Sequence, residues 1–277
     1  MTALSVVPAA ESRIDVTEED IRRALDSVID PELDEPITDL GFIRSLQVRA
    51  GVDGASVEVH LRLPTSFCSP NFAYLMASDS KDAIAALPAV KHVVVELDDH
   101  HDSDLINAGL AADAGYRGTF LHEAEDSLEE LCWTFRRKAH TAALERCLTD
   151  LLRANPELAE TEMGRVRLGD LPTGRNKDAL LRRRSALGLP EAADSIVLAK
   201  HNGDPYPPEA VPMALRRARS TRISIDGNAH FCRGLLRTRY PDSGTDQAPR
   251  PDGAEPADAT HDPTFVPLTS LQKEHTP

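Results

Sequence analysis

Aromatic residues make up only 4% of this chain, and its four cysteines are scattered. Nowhere does an apolar run approach the roughly 20 residues that a membrane span requires. Each scarcity excludes something. With few aromatics, the core must be built from Leu, Val, Ile and Ala, and there is no platform on which nucleic-acid bases could stack. Nucleic acid and membrane are therefore not expected partners. Cysteines without a dense spacing pattern do not form a disulfide framework, so reduced thiols in a cytoplasmic protein are the default expectation. The segment Met1 to Arg13 has neither a basic start nor a long apolar stretch, which reads as no signal peptide. A phosphate-cradling glycine loop, a dinucleotide fingerprint and a nucleophile elbow are all missing, so a classical enzyme is not expected.

What is present is a divided charge. The net charge is -14, but residues 1–130 hold 9 Lys and Arg against 26 Asp and Glu, while residues 131–240 hold 20 against 12. Such asymmetry predicts segments with different surfaces. The basic part could meet nucleic acid, an acidic partner, or the acidic part of its own chain. The last is the simplest reading and ranks first.

Local patterns predict an α+β unit followed by a mainly helical region. Thr17 before Glu18, Glu19 and Asp20 reads as a helix N-cap, and Ile21, Ala24, Leu25 and Val28 continue at helical spacing until Asp30-Pro31. Gly41 to Val48 reads as a strand. Val57, Val59, Leu61 and Leu63 alternate with Glu58, His60 and Arg62 as a second, half-buried strand, and Asp53-Gly54 marks the hairpin between them. Asn71 to Leu87 reads as a helix and Val90 to Leu97 as a third strand. The expected order is a small α-β-β-α-β domain over residues 15–100. Residues 101–125, with the glycine-rich stretch Gly109 to Thr119, read as a linker. Residues 126–240 read as a basic, mainly helical domain, with helices at Ser127–Ala154, Lys177–Leu187 and Pro208–Ser220 and short strands at Ser195–Ala199 and Thr221–Ile225. Residues 241–277, rich in Pro, Asp, Ala and Gly, read as a disordered tail.

The sharpest local feature is Pro64-Thr65-Ser66-Phe67-Cys68-Ser69-Pro70, which places a cysteine between a strand end and a helix start. Unpaired backbone N–H groups and the helix dipole favour a thiolate there, able to bind iron or attack an electrophile, and Thr65 and Ser66 could add hydroxyl hydrogen bonds. From position alone, an inert residue packed under the helix is an equal alternative.

Around this loop the chain resembles the metal–sulfur cluster biosynthesis domain family, which includes SufT- and PaaD-type assembly factors. The resemblance is carried by Asp30-Pro31-Glu32, Thr38-Asp39-Leu40-Gly41, Thr65, and Cys68 followed closely by Pro70, and it covers about residues 15–100. The sequence departs from the family in that Ser69 separates the cysteine from the proline. The resemblance implies a non-catalytic assembly or maturation factor: a carrier or adaptor for an iron or iron–sulfur cofactor. Cys68 would be the metal ligand, and Asp39, Glu32 and Thr65 would belong to the cofactor-binding site. It further implies a transient iron–sulfur cluster or iron as cargo. The implied partners are cluster-assembly proteins or a client metalloenzyme, such as an oxygenase component, with a homo-oligomer left open. The alternative is an interaction or regulatory module that keeps the domain as a scaffold.

Three other groups are candidate sites. Asp98, Asp99, His100, His101, Asp102 and Asp104 have metal-compatible chemistry but read better as a solvated acidic loop. Cys132 and Cys147 lie about 22 Å apart along one helix, too far for one metal, and read as core residues. His201, His230 and Cys232 lack ligand spacing and read as packing residues.

Overall fold

A computed structural model of the chain describes residues 16–121 and 128–249. The predicted α-β-β-α-β unit is present. Helix α1 (Glu18–Leu25) begins in a capping box: Asp20 N–H donates to Thr17 Oγ1 at 3.2 Å while Thr17 N–H donates to the Asp20 carboxylate at 3.0 Å. Strands β1 (Ile43–Arg49), β2 (Ala55–Arg62) and β3 (Val90–Asp98) form one sheet in sequence order. β1 and β2 are antiparallel, with a register shift between Ile43 and Ser45. β2 and β3 run parallel, joined through α2 (Pro70–Ala85), as a parallel pair requires a crossover. The β2 alternation buries Val57, Val59 and Leu61 beneath the helices and leaves Glu58 and His60 on the opposite, partly exposed face.

The stretch expected to be a linker is instead helical. Helices α3 (Ser103–Ala111) and α4 (Gly115–Phe120) pack on each other, and α3 packs on β3. Gly109, in the stretch expected to be a linker, permits a close approach: a Cβ there would sit 2.0 Å from Thr119 Oγ1. Residues 122–125 of that stretch lie outside the described residues.

Beyond it come α5 (Leu128–Ala154), α6 (Arg175–Ala186) and α7 (Val211–Arg239). Their core holds Leu144, Cys147, Leu148, Leu180, Leu215 and Ala218, with Met163 and Leu168 from short 3-10 turns. Neither short strand expected here joins a sheet. Residues 195–199 make only isolated bridges, Arg167 to Ile196 and Ala199 to Pro205. Thr221–Ile225 lies inside α7, where Ala218, Ile225, Ala229 and Leu236 are buried at helical spacing despite the β-branched residues between.

α7 ties the two regions together. Its first half packs in the second core, and Ala229 and Leu236 belong to the core of the α/β unit. Charge reinforces the contact: Arg183 pairs with Asp34 at 2.6 Å, and Arg233 pairs with Glu35. The basic helices thus meet the acidic part of their own chain, as the charge division suggested. Of the stretch read as a disordered tail, residues 241–249 instead form a turn (Pro241–Asp246) and an extended piece, whose Ala248 N–H donates to the Asp39 carbonyl at 2.9 Å. Residues 250–277 lie outside the described residues.

Candidate functional site

Cys68 lies in the β2–α2 connection, one residue before the Ser69 that starts α2, with Pro70 in the first turn. The inserted Ser69 is therefore the helix-capping position, although its side chain makes no capping bond. The thiol is half-buried and free. Thr65 Oγ1 stands 3.5 Å from Cys68 Sγ and also accepts the Phe67 N–H at 3.2 Å, so Thr65 both shapes the loop and touches the sulfur.

Three groups from elsewhere hold this loop. His100, buried behind it, accepts the Asp102 N–H at Nδ1 (3.1 Å), which leaves the proton on Nε2 to be donated to the Cys68 carbonyl at 2.8 Å. His101 N–H donates to the Ser66 carbonyl at 2.9 Å. Arg239, at the end of α7, donates to the Leu63 carbonyl at 3.0 Å, to Ser66 Oγ at 2.8 Å and to the Asp99 carbonyl. The acidic, histidine-bearing stretch after β3 thus supplies a brace for the cysteine loop. The sequence offered no local signal for this role, because the partners lie more than thirty residues apart.

The Asp30-Pro31-Glu32 turn is tightly made. The buried Asp30 carboxylate accepts the Glu32 and Leu33 N–H groups at 2.8 and 2.9 Å. Burial nevertheless pushes its pKa up to about 6. Glu32 accepts from Asn228 Nδ2 of α7 at 3.2 Å. Asp39 is engaged through its carbonyl, which accepts from Arg233 and from Ala248 N–H, both at 2.9 Å. Its half-buried carboxyl is shifted upward by burial and by Asp26, against the pull of Arg233. Gly41 two residues on has φ +76°, and its carbonyl accepts from Arg62 Nε at 3.1 Å.

The structure therefore brings Thr65 to Cys68 and ties Glu32 and Asp39 to neighbouring turns of α7. One residue expected to serve packing is also influenced by these groups. Cys232, half-buried on α7, has its thiol pushed up to about 12, first by burial and then by Asp30, Cys68 and Glu32. On the open face of the sheet, ligand atoms of His60, Glu96 and Asp98 lie within 4.8 Å of one another. That group is satisfied as ion pairs, with His60 Nδ1 2.9 Å from Asp98 and Arg44 2.9 Å from the same carboxylate. Cys147 is buried in the second core as expected, and Cys132 is half-buried.

Residues 18–97, which include the cysteine loop, match a family described as iron–sulfur cluster assembly protein. An uncharacterized protein of Methanocaldococcus jannaschii, MJ1129, is 35% identical over 85 residues, which are 31% of this chain and 84% of that protein. No solved structure matches the chain. The chain belongs to the iron–sulfur cluster assembly protein family through its α/β unit, and the helices from α5 onward lie beyond the matched residues. No described helix is long and apolar enough to cross a membrane.

Proposed function

We propose that the protein is a non-catalytic maturation factor that carries iron or an iron–sulfur cluster, bound transiently at Cys68, to a client metalloenzyme. The observation that carries this reading is the placement of Cys68: a partly exposed, unpaired thiol on a loop whose backbone is fixed by His100, His101 and Arg239. A carrier needs a sulfur ligand that is open to exchange yet held in place, because a loose loop would lose the entropy of ordering at each transfer. Thr65 supplies a hydroxyl beside the sulfur, and in this reading Glu32 and Asp39 are the carboxylates assigned to the same cation. The cluster is cargo in this reading, and the protein contributes position and charge. The helical region from α5 onward, joined to the site by α7, would choose the client.

The reading has a direct test. The full chain is reconstituted anaerobically with ferrous iron and sulfide, and bound iron, sulfur-to-iron absorbance and transfer to an apo-ferredoxin are measured. Cys68→Ser is expected to lower iron–sulfur retention by at least about tenfold, since even losing an outer-shell partner of a metal ligand costs that much. Retention and transfer equal to wild type would sink the role given to Cys68.

A further inference from the structure

The residues of α7 at positions 228, 232, 236 and 239 follow one another at helical spacing and share one face. Hydrogen bonds locate that face at both ends. At one end Asn228 donates to the Glu32 carboxylate at 3.2 Å, and at the other Arg239 donates to Leu63 O at 3.0 Å and Ser66 Oγ at 2.8 Å. Between them Leu236 is fully buried in the α/β core. The face therefore runs from the Asp30-Pro31-Glu32 turn to the cysteine loop, and Arg239 grips that loop two residues before Cys68. Cys232 stands on the same face, one turn beyond the Glu32 contact. Cys232 and Cys68 both pack against the edge of the same apolar core.

The charges that face Cys232 decide what could sit there. The ionisable groups that act on it are Asp30, Cys68 and Glu32, with no cation among them. Arg233, the next residue, turns away to Glu35 and the carbonyls of Asp39 and Ala248. The hydrogen bonds of Arg239 go to Leu63 O, Ser66 Oγ and the Asp99 carbonyl, so the groups acting on Cys232 favour a cation over an anion. Soft sulfur ligands with a carboxylate neighbour suit iron or an iron–sulfur cluster.

We propose that Cys232 is the second sulfur ligand for the cargo carried at Cys68, so that the iron or cluster is clasped between the family's α/β unit and a helix that lies beyond the matched residues. This rests on the reading of Cys68 as the cargo ligand. The Glu32 carboxylate lies at the rim of the same site and is steadied by Asn228. On binding, each thiol gives up its proton to solvent as its sulfur bonds to iron, with no change in oxidation state. The carboxylates that disfavour a bare thiolate are offset by the positive charge of the incoming iron.

Anaerobic reconstitution of the full chain with ferrous iron and sulfide, comparing wild type, Cys68→Ser, Cys232→Ser, Cys232→Ala and Cys132→Ser, separates the outcomes. Binding of Co²⁺ alone, read by thiolate-to-cobalt absorption, gives a second measure in the same proteins. Both Cys232 variants are expected to lose at least about tenfold of iron–sulfur retention and about half of the thiolate-to-cobalt intensity, while Cys132→Ser matches wild type. If Cys68→Ser loses cluster and cobalt signal but both Cys232 variants keep them, the second-ligand inference is overturned and the Cys68 reading stands. If no variant differs from wild type, or wild type retains neither probe, both fail. Should one Cys232 variant misfold, the other, with cobalt absorption, still decides between these results.

Discussion

Replacing Arg233 by alanine is expected to cost about 3–5 kcal/mol of folding free energy, the range for removing one partner of a buried ion pair. Its side chain is only 2% exposed and Glu35 opposite is 15% exposed, so neither charge can turn to water when the other is lost. The guanidinium also donates to the carbonyls of Asp39 and Ala248, both at 2.9 Å. One residue of α7 thus closes three segments: the acidic turn, the Asp39 loop and the chain after α7. Arg233→Met keeps most of the volume and removes the charge, yet it still strands Glu35. Adding Glu35→Gln to Arg233→Met should recover part of the loss, because the uncompensated carboxylate is then gone. Urea unfolding of the full chain gives the comparison. A loss below about 1 kcal/mol for Arg233→Ala, the level of an exposed pair, would show that α7 is not anchored by this residue. Since α7 also carries Cys232 and Arg239, the same variant should weaken iron–sulfur retention even though it touches no ligand.

The parts of this fold that were readable in the sequence are those set by local rules. The β2 alternation was plain because one face is buried and the other polar. α1 was plain because Thr17 and Asp20 cap each other within one turn. The cysteine loop stood out because Pro64 and Pro70 bracket it. What stayed hidden depends on distant partners or on residues with two uses. Gly109 signals a break in isolation, but in the fold its missing Cβ lets Thr119 approach. Thr221, Ile223 and Ile225 favour a strand by propensity, but burial of Ala218, Ile225, Ala229 and Leu236 along one helical stripe overrides it. His100 looked like part of a solvated acidic loop, yet it is 6% exposed and braces the Cys68 carbonyl. Cys232 had no ligand spacing to suggest the role proposed for it, because the groups that act on it, Asp30, Cys68 and Glu32, come from the other end of the chain. At Asp39 the expectation of a carboxylate partner for Cys68 remains a proposal, since what the structure engages there is the carbonyl.

Replacing His140 by leucine is expected to change the pH dependence of stability strongly. His140 of α5 is fully buried, and among the described residues neither ring nitrogen has a hydrogen-bond partner. Burial first, then the charges of Arg184, His201 and Arg183, push its pKa down to about 3. An unfolded histidine titrates near 6.5. Between these values the unfolded chain binds the proton and the folded chain does not, so the folded state loses about 1.4 kcal/mol per unit as pH falls from about 6.5 toward 3. Asp30 works in the opposite direction. Its folded pKa is raised to about 6, so over about pH 6 to 4 the folded state holds a proton that the unfolded chain has released, and stability rises as pH falls. In wild type the two slopes oppose each other in that window and flatten the profile. His140→Leu removes one of them and also removes two buried, unpaired nitrogens, each costing about 1–3 kcal/mol. The variant should therefore be more stable than wild type already at pH 7, by at least about 1 kcal/mol. Its advantage should grow by about 1.4 kcal/mol for each unit of acidification below about pH 6.5. Asp30→Asn should do the converse, exposing a stability that falls steadily toward acid. Denaturant unfolding of the three proteins at pH 7, 5.5 and 4 measures the differences directly, and groups common to all three cancel. An advantage for His140→Leu that is the same at pH 7 and pH 4 would mean that His140 is not held neutral by its burial.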